Sequence, residues 1–318
     1  MFLYVFAFIF AFILMARAGT SLVKSLTHLA RFFRISEYIV AFIIMSFATS
    51  IPELFVGLSS AFEGVSGLSL GNIIGANFIN ITLVIGLVAF FSNGIRIESK
   101  IRHQNFWLIF FIAFMPVLLA MDGVISRWDG LVLVISFAVY IIRLAGEKEY
   151  FTKIFKEIKF NSETISQVFR MIARFFSGVL ILLASSALLV WAGKGLSSAM
   201  NMGIFSFGII FVALGTALPE LAFGVRASML KHAKMSIGNS LGSIAFNSAF
   251  IIGIVSMISP IRLQNWQGFF VGSAFLFAAL LLFNIFIYTR SGISRRESII
   301  LMFLYAFFLV VAYLFQIV

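Results

Sequence analysis

The sequence predicts an all-α integral membrane protein with ten transmembrane helices, arranged as two inverted five-helix repeats. Three observations predict this fold: an apolar composition, ten apolar runs of helical length, and one segment that occurs twice. Of the 318 residues, 62% are hydrophobic and 11% are charged, whereas a soluble domain carries about 25% charged residues. Most of the surface is therefore expected to face lipid. The chain has no cysteine, which excludes disulfides and thiolate metal sites.

The ten apolar runs come close to the roughly 20 residues that a membrane-spanning helix needs. They cover residues 2–27, 38–62, 67–91, 105–121, 129–146, 172–199, 204–229, 236–258, 267–289 and 298–317. The runs are continuous rather than alternating, which favours helices over a barrel. The chain is apolar from Phe2 to Ala16, before its first basic residue, Arg17, which is the reverse of a secretory signal. We therefore expect a retained first span with an outer N-terminus, rather than a cleaved peptide.

The basic residues test this assignment of spans. With the N-terminus outside, most of the 23 Lys and Arg residues fall in loops predicted to be cytoplasmic, and the outer loops hold only Arg127, Lys194 and Arg262. This bias predicts a cell-membrane protein with both termini outside. It also explains the net charge of +11, because the basic residues would lie against anionic lipid headgroups. We therefore expect membrane lipids, and no nucleic acid, as partners.

One long polar stretch divides the chain. Residues 147–171 separate a first repeat, residues 1–146, from a second, residues 172–318. We expect a solvated cytoplasmic linker there, or an amphipathic helix lying on the membrane surface.

The repeated segment covers residues 45–87 and 212–254, and a constant offset of 167 residues aligns the two copies without a gap. The aligned pairs include Thr49 with Thr216, Pro52 with Pro219, Glu53 with Glu220, Gly71 with Gly238, Gly75 with Gly242 and Asn80 with Asn247. Because each half has five spans, the second copy enters the membrane from the opposite side. Inverted repeats are a transporter architecture with the site near the bilayer midplane.

Glu53 and Glu220 are the only acidic residues well inside predicted spans. A charge at that depth costs about 3 kcal/mol or more, so it usually faces a cavity and a counter-ion. The alternative is a basic partner on a neighbouring span, for which Arg17 is the sole candidate at comparable depth. The two glutamates therefore predict an ion site.

The neighbouring residues strengthen that prediction. Thr49 and Ser50 lie one helical turn before Glu53, on the same face. Pro52 and Pro219 lack an N–H, which leaves carbonyls near residues 46–49 and 213–216 without their helical donors. Carboxylate, hydroxyl and carbonyl oxygens together suit a hard cation such as Ca²⁺.

Two further features of the repeat have competing interpretations. Gly71, Gly75, Gly238 and Gly242 present smooth helix faces that allow close packing, and packing explains them as well as function does. Asn80 and Asn247 lie deeper on the same helices, where their amides could ligate an ion or bond across helices.

These motifs resemble the α-repeats of the Ca²⁺/cation antiporter superfamily, especially its prokaryotic sodium/calcium exchangers. The resemblance rests on Ala48-Thr-Ser-Ile-Pro-Glu53 with Gly71-Asn-x-x-Gly75, and on Gly215-Thr-Ala-Leu-Pro-Glu220 with Gly238-Asn-x-x-Gly242. It implies a secondary antiporter that exchanges Ca²⁺ for Na⁺ by alternating access, with spans one and six sliding across the rest. It further implies a monomer that needs no cofactor and is not an enzyme.

The resemblance also implies a set of ion ligands. Ca²⁺ would be held by Glu53, Glu220 and the carbonyls of Thr49 and Thr216. Na⁺ would use these groups together with Ser50 and the Ser46 carbonyl on one side, and with Ser243 and the Ala213 carbonyl on the other. Asn80 and Asn247 would line the middle.

The chain departs from the family pattern at three positions. Ala76 and Ala217 stand where the family usually has Ser, and Asn247 stands where it often has Asp. We expect each sodium site to lose one hydroxyl, which makes proton coupling through Glu53 and Glu220 an alternative, because burial disfavours the charged form of a carboxyl. A cation channel and an intramembrane enzyme are rivals from other classes. The second would need a close acid–base pair and a substrate-sized cleft, and no catalytic motif is present.

Overall fold

A computed structural model describes residues 1–32, 46–96, 99–146, 162–229, 232–290 and 292–314. The described part of the first half contains α1 (Phe2–Phe32), α2 (Ser46–Thr49), α3 (Ile51–Phe62), α4 (Gly67–Ile79), α5 (Ile85–Phe91), α6 (Ser99–Leu119) and α7 (Arg127–Gly146). The described part of the second contains α8 (Ser162–Ala199), α9 (Ile204–Phe207), α10 (Ala213–Thr216), α11 (Leu218–Met229), α12 (Ala233–Ala245), α13 (Ile252–Ile258), α14 (Trp266–Arg290) and α15 (Arg295–Leu314).

Several of these helices are long and apolar enough to cross a membrane. Among the described residues, five segments qualify singly: Gly67–Phe91, Phe176–Ala199, Ala233–Ile258, Trp266–Thr289 and Arg295–Leu314. A sixth is the pair Ile204–Thr216 and Leu218–Met229, which is bent by 41°. Large apolar side chains such as Phe303 and Phe111 are exposed on the outside of the bundle. The chain is therefore a predominantly helical, multi-pass membrane protein.

Several helices extend beyond the predicted spans: α1 continues to Phe32, α6 begins at Ser99, and α15 begins at Arg295. Helix α8 begins at Ser162, so residues 162–171, which were predicted to belong to the linker, are helical. The rest of the predicted linker, residues 147–161, lies outside the described residues, as do residues 38–45 of the second predicted span and residues 315–317 of the tenth.

Several helical segments are joined by irregular turns rather than by loops. The turn between α2 and α3 falls at Ser50, and the turn between α10 and α11 falls at Ala217. In both places a proline occupies the second residue of the following helix, where its missing N–H does not interrupt the helix. Wider π-helical turns join α4 to α5, α9 to α10 and α12 to α13, at Asn80–Val84, Gly208–Val212 and Phe246–Ile251.

Helices α4 and α12 lie at the centre of the bundle. The segments that contain them are 83% and 78% buried, against 33% for Arg295–Leu314. Helix α4 packs against α9 and α10, α12 packs against α2, and α1 runs along α8.

Glycines on α4 allow a close approach to the second half of the chain. A Cβ atom on Gly71 would overlap the carbonyl oxygen of Phe205, and one on Gly75 would overlap that of Ile209. Close packing is therefore confirmed for these two glycines. The repeat-related contacts of Gly238 and Gly242 would involve positions 38 and 42, outside the described residues.

Short strands and helix caps recur in both halves. Strand β1 (Ile95–Arg96) pairs antiparallel with β4 (Gly292–Ile293), and β2 (Val124–Ile125) pairs antiparallel with β3 (Ile261–Arg262). At the start of α7, Ser126 Oγ donates to Asp129 Oδ2 at 2.7 Å. At the start of α15, Ser294 Oγ donates to Glu297 Oε2 at the same distance. The likeness between the halves thus extends beyond the repeated motif.

Candidate ion-binding site

Glu53 and Glu220 lie in the first turns of α3 and α11, and both are completely buried. Their carboxyls are close enough to interact electrostatically. Within the described residues, the salt bridge found joins Lys194 to Glu63 and involves neither buried glutamate. Arg17, the one basic candidate from the sequence, is exposed on α1. The alternative of a basic partner therefore finds no support in the described part of the chain.

The broken helices place their ends at these carboxyls. The N-termini of α3 and α11 carry partial positive charge, which favours an acidic residue in the first turn. The C-termini of α2 and α10 bring backbone carbonyls to the same breaks, as half-helices do in cation sites of transporters. Each half thus supplies one carboxyl and one set of carbonyl oxygens.

The resemblance implies that the backbone carbonyls of Ser46 and Ala213 are sodium ligands, but these are not the carbonyls that lose their helical hydrogen-bond donors. The Ser46 carbonyl accepts from the Ser50 N–H at 3.1 Å, and the Ala213 carbonyl accepts from the Ala217 N–H at 3.0 Å. Because proline at 52 and 219 lacks an N–H, the donors are lost from Ala48 and Gly215 instead. A carbonyl has two lone pairs, so Ser46 and Ala213 retain one acceptor position each.

Two hydrogen bonds join the halves of the chain, each from a broken helix of one half to the central helix of the other. Thr216 Oγ1 donates to Asn72 Oδ1 at 3.0 Å, and Thr49 Oγ1 donates to Asn239 Oδ1 at 3.4 Å. The repeat offset relates these two hydrogen bonds to each other. In the same crosswise manner, Thr216 lies in the electrostatic environment of the Glu53 carboxyl and Thr49 in that of Glu220, while both Glu53 oxygens lack a hydrogen-bond partner among the described residues.

The residues around the carboxyls form two flanks, each built from both halves. One, called the serine flank, joins α2 and the following turn to α12 and comprises Ser46, Thr49, Ser50, Asn239 and Ser243. The other, called the alanine flank, joins α10 and the following turn to α4 and comprises Asn72, Ala76, Ala213, Thr216 and Ala217. Ser50 Oγ donates to Glu220 Oε1 at 3.4 Å on the serine flank.

Ser243 lies against the first repeat. Its hydroxyl donates to the Ser46 carbonyl at 3.4 Å and lies 3.3 Å from Thr49 Oγ1. The resemblance groups Ser243 with the Ala213 carbonyl, whereas the structure places it beside Ser46. Ala76 and Ala217 share one buried apolar cluster with Ala213, so both missing hydroxyls fall on the alanine flank, and not one on each side as expected from the sequence.

Several buried polar atoms on the helices of the repeated segment have no hydrogen-bond partner among the described residues. Among them are both carboxylate oxygens of Glu53, Glu220 Oε2, the amide nitrogens of Asn72 and Asn239, both amide atoms of Asn80, and Asn247 Oδ1. An unsatisfied buried polar atom costs about 1–3 kcal/mol, more when it is charged. The oxygens in this set are the ligand types that a hard cation takes.

Asn77 and Ser248 were missed by sequence reasoning. Asn77 Nδ2 donates to Ser248 Oγ at 2.7 Å, and Asn247 Nδ2 donates to Asn77 Oδ1 at 3.2 Å. This chain of bonds fixes the Asn247 amide so that its oxygen is the end left without a partner. The repeat pairs Asn77 with Ile244, so a search for duplicated polar residues does not find it.

The described residues contain no cluster of three or more His, Cys, Asp or Glu side chains that could hold a metal ion. A cation at Glu53 and Glu220 must therefore take its remaining ligands from hydroxyl, amide and carbonyl oxygens. Such oxygens suit Ca²⁺ and, at broken helices, Na⁺. An apolar helical bundle with broken helices around a pair of buried carboxyls is typical of membrane cation transporters.

Comparisons with known proteins agree with this class. A family model described as "Sodium/calcium exchanger protein" matches residues 3–145 and 171–314. The chain is 25% identical over 341 residues to the sodium/calcium exchanger MaX1 of Methanosarcina acetivorans, covering 95% of this chain and 96% of that one. It is 26% identical to the putative antiporter CaxA of Alkalimonas amylolytica, covering 78% of each. The chain belongs to the sodium/calcium exchanger protein family.

A solved structure shows the same fold. The sodium–calcium exchanger NCX_Mj, soaked with Na⁺ and Sr²⁺, superposes with a TM-score of 0.67 at 25% identity, over 98% of both chains. The uncharacterized membrane protein MJ0091 of Methanocaldococcus jannaschii is 27% identical over 303 residues, 94% of each chain. The protein is thus an ion transporter and not an enzyme, and its family calls for no cofactor.

Proposed function

We propose that this protein is a secondary antiporter that expels Ca²⁺ in exchange for Na⁺ at a site built around Glu53 and Glu220. The observation that carries the proposal is the meeting of two completely buried carboxyls, one from each half, with no ion pair to a basic residue in the described part of the chain. Two carboxylates balance either one Ca²⁺ or two monovalent cations, and such mutually exclusive occupancy is what antiport requires.

The ligand set follows from the broken helices. Glu53, Glu220 and the carbonyls of Thr49 and Thr216 hold Ca²⁺. Na⁺ uses the same carboxylates together with Ser50, Ser243 and the carbonyls of Ser46 and Ala213. Asn80 and Asn247, each in a π-helical turn, line the middle. The hydrogen bonds of Thr216 to Asn72 and of Thr49 to Asn239 support this arrangement, because they dock the broken helix of each half against the central helix of the other.

The membrane architecture consists of ten spans in two inverted halves, residues 1–146 and 172–318, with both termini outside the cell membrane. The helical segments, the related strand pairs and the matching caps at Ser126 and Ser294 support it. Helices α1 and α8, which run along each other, slide across the remaining helices to alternate access. The transporter works as a monomer surrounded by lipid.

A second candidate is a Ca²⁺/H⁺ antiporter, favoured by the three departures from the family pattern. Ala76 and Ala217 remove hydroxyls that a sodium ion would use, and Asn247 removes a carboxylate. In this case protons bind to Glu53 and Glu220 in place of the sodium ions, and they neutralise the negative charges of the two carboxylates.

Uptake of ⁴⁵Ca²⁺ into proteoliposomes distinguishes the two candidates. Vesicles loaded with Na⁺ and diluted into Na⁺-free medium should take up ⁴⁵Ca²⁺, and vesicles loaded with choline at equal pH should not. An acid-inside pH gradient without Na⁺ gives the matching arm for protons. Uptake under the pH gradient but not under the Na⁺ gradient would identify protons, and not sodium, as the coupling ion. No uptake under either gradient would refute the exchanger.

A further inference from the structure

The two flanks of the site differ in their hydroxyl oxygens, although the repeat offset relates them residue by residue. Threonine and asparagine occur on both, as Thr49 with Asn239 and as Thr216 with Asn72. The three remaining pairs differ, and in each the serine lies on the serine flank: Ser46 with Ala213, Ser50 with Ala217, and Ser243 with Ala76. In all three pairs that differ, the hydroxyl group therefore lies on the same flank of the site.

The serine flank is a loosely bonded cluster of oxygens. Ser46 Oγ donates to the Asn239 carbonyl at 3.0 Å. Thr49 Oγ1 lies 3.3 Å from the Ser46 carbonyl, 3.4 Å from Asn239 Oδ1 and 3.3 Å from Ser243 Oγ, and Ser243 Oγ lies 3.4 Å from the Ser46 carbonyl. Ser50 Oγ lies 3.4 Å from Glu220 Oε1. The contacts of Thr49, Ser50 and Ser243 are all longer than the ~2.7–2.8 Å typical of O–H···O bonds. These oxygens therefore hold one another weakly and keep lone pairs for a cation.

The alanine flank offers far fewer oxygens. Ala76, Ala213 and Ala217 are completely buried in one apolar cluster with Ile79 and Val84. The one side-chain hydroxyl of this flank, on Thr216, already donates to Asn72 at 3.0 Å. An ion that gives up its water must gain oxygens in exchange, because an uncompensated buried charge is very costly. Methyl groups supply none.

Resting on the proposed function, we propose that the serine flank alone holds the monovalent cation that competes with Ca²⁺. The Glu53 carboxylate still belongs to the Ca²⁺ site, but the alanine flank holds no monovalent cation of its own. The chain then binds one fewer sodium ion than two equal flanks would hold, a proton neutralises the carboxylate that this sodium ion would have balanced, and Ca²⁺ is exchanged for correspondingly fewer sodium ions.

The test measures Ca²⁺ binding to the purified full-length protein in detergent by titration calorimetry, over a series of Na⁺ concentrations with choline at constant ionic strength. Ser243→Ala should weaken competition by Na⁺ about 10-fold or more, since losing even an outer partner of a metal ligand costs about 10–100-fold. Na⁺ competition should fall by more than Ca²⁺ affinity does. Ser256→Ala is the matched control, because that buried hydroxyl donates to the Gly253 carbonyl of its own helix.

A gain-of-site variant tests the other flank. Ala76→Ser combined with Ala217→Ser restores two hydroxyls, and the Hill coefficient for Na⁺ should rise by up to about one, because that coefficient is bounded by the number of sites. Should this double variant fail to fold, Ser243→Ala decides the matter alone.

Two results would overturn the inference alone: an unsubstituted protein whose Na⁺ dependence is already as steep as that of the double variant, or equal losses of Na⁺ and Ca²⁺ affinity in Ser243→Ala. Failure of the proposed function looks different. It would be an unsubstituted protein that binds no Ca²⁺ at any Na⁺ concentration, or binds Ca²⁺ with no effect of Na⁺, and it would remove this inference as well.

Discussion

Thr216 donates a hydrogen bond of 3.0 Å to Asn72, a residue of the other half of the chain. Its repeat-related counterpart joins Thr49 to Asn239 at 3.4 Å. Each bond ties the broken helix of one half to the buried central helix of the other, four residues before a glutamate. The geometry of the site therefore depends on how the two halves dock.

Replacing Thr216 by valine should destabilise the protein, because Asn72 Oδ1 would lose its donor inside the bundle. We expect a loss of about 1–3 kcal/mol in the free energy of unfolding, the usual cost of an unsatisfied buried polar group. Thr49→Val should cost less, since its bond to Asn239 is longer. Thermal unfolding in detergent measures both. Thr216→Ser keeps the hydroxyl and is the control, and a valine variant as stable as the unsubstituted protein would contradict the role of this bond.

Asn77→Leu should weaken Ca²⁺ binding although Asn77 itself is not proposed as a ligand. Asn77 Oδ1 accepts a hydrogen bond from Asn247 Nδ2. This bond fixes the orientation of the Asn247 amide, so that its oxygen points away from Asn77. Loss of such a positioning partner typically costs about 10–100-fold in metal affinity. In an Asn247→Ala background the same substitution should add little, because the amide to be oriented is gone.

The control for Asn77→Leu is Asn284→Leu. Asn284 is a buried amide that donates to the Leu280 carbonyl of its own helix at 2.8 Å, and its loss should leave Ca²⁺ affinity unchanged. Calorimetry on the four variants checks these expectations. An equal loss of affinity from Asn77→Leu in both backgrounds would show a general packing defect instead.

Gly75→Ala should separate α4 from α9 and α10. An added Cβ would overlap the Ile209 carbonyl and the Ala213 Cβ, and overpacking of this kind costs about 1–3 kcal/mol or more. Gly67→Ala, at the start of the same helix, is the matched control, because its Cβ would meet nothing closer than 3.8 Å. The transition temperature of each variant tests the difference. Equal temperatures would show that α4 does not need this close approach.

The sequence was informative about the local structure of the repeat. Pro52 and Pro219 predicted carbonyls without helical donors at residues 46–49 and 213–216, and the helices end in irregular turns at Ser50 and Ala217. The π-helical turns at Asn80 and Phe246 were not predicted, since a π turn depends on the packing around a helix rather than on residue type.

Contacts between the halves could not be predicted from a linear repeat. Ser243 was grouped with the Ala213 carbonyl, yet it lies against Ser46 and Thr49, because docking of α12 onto α2 decides its neighbours. Asn77 was hidden for a related reason, as its partner Ser248 belongs to the other half and neither residue is duplicated. The ligand roles of Glu53 and Glu220 stay predictions.

The central claim is that Glu53 and Glu220 together bind the transported Ca²⁺. The most direct measurement is ⁴⁵Ca²⁺ uptake by Na⁺-loaded proteoliposomes that contain Glu53→Gln or Glu220→Gln, with Glu63→Gln, at the exposed ion pair with Lys194, as the matched control. We expect each buried substitution to lower uptake by more than about 100-fold, beyond the cost of losing an outer partner of a ligand, while the control and the elution profile of all three variants remain unchanged. Uptake at the unsubstituted rate in either Glu53→Gln or Glu220→Gln would contradict the claim.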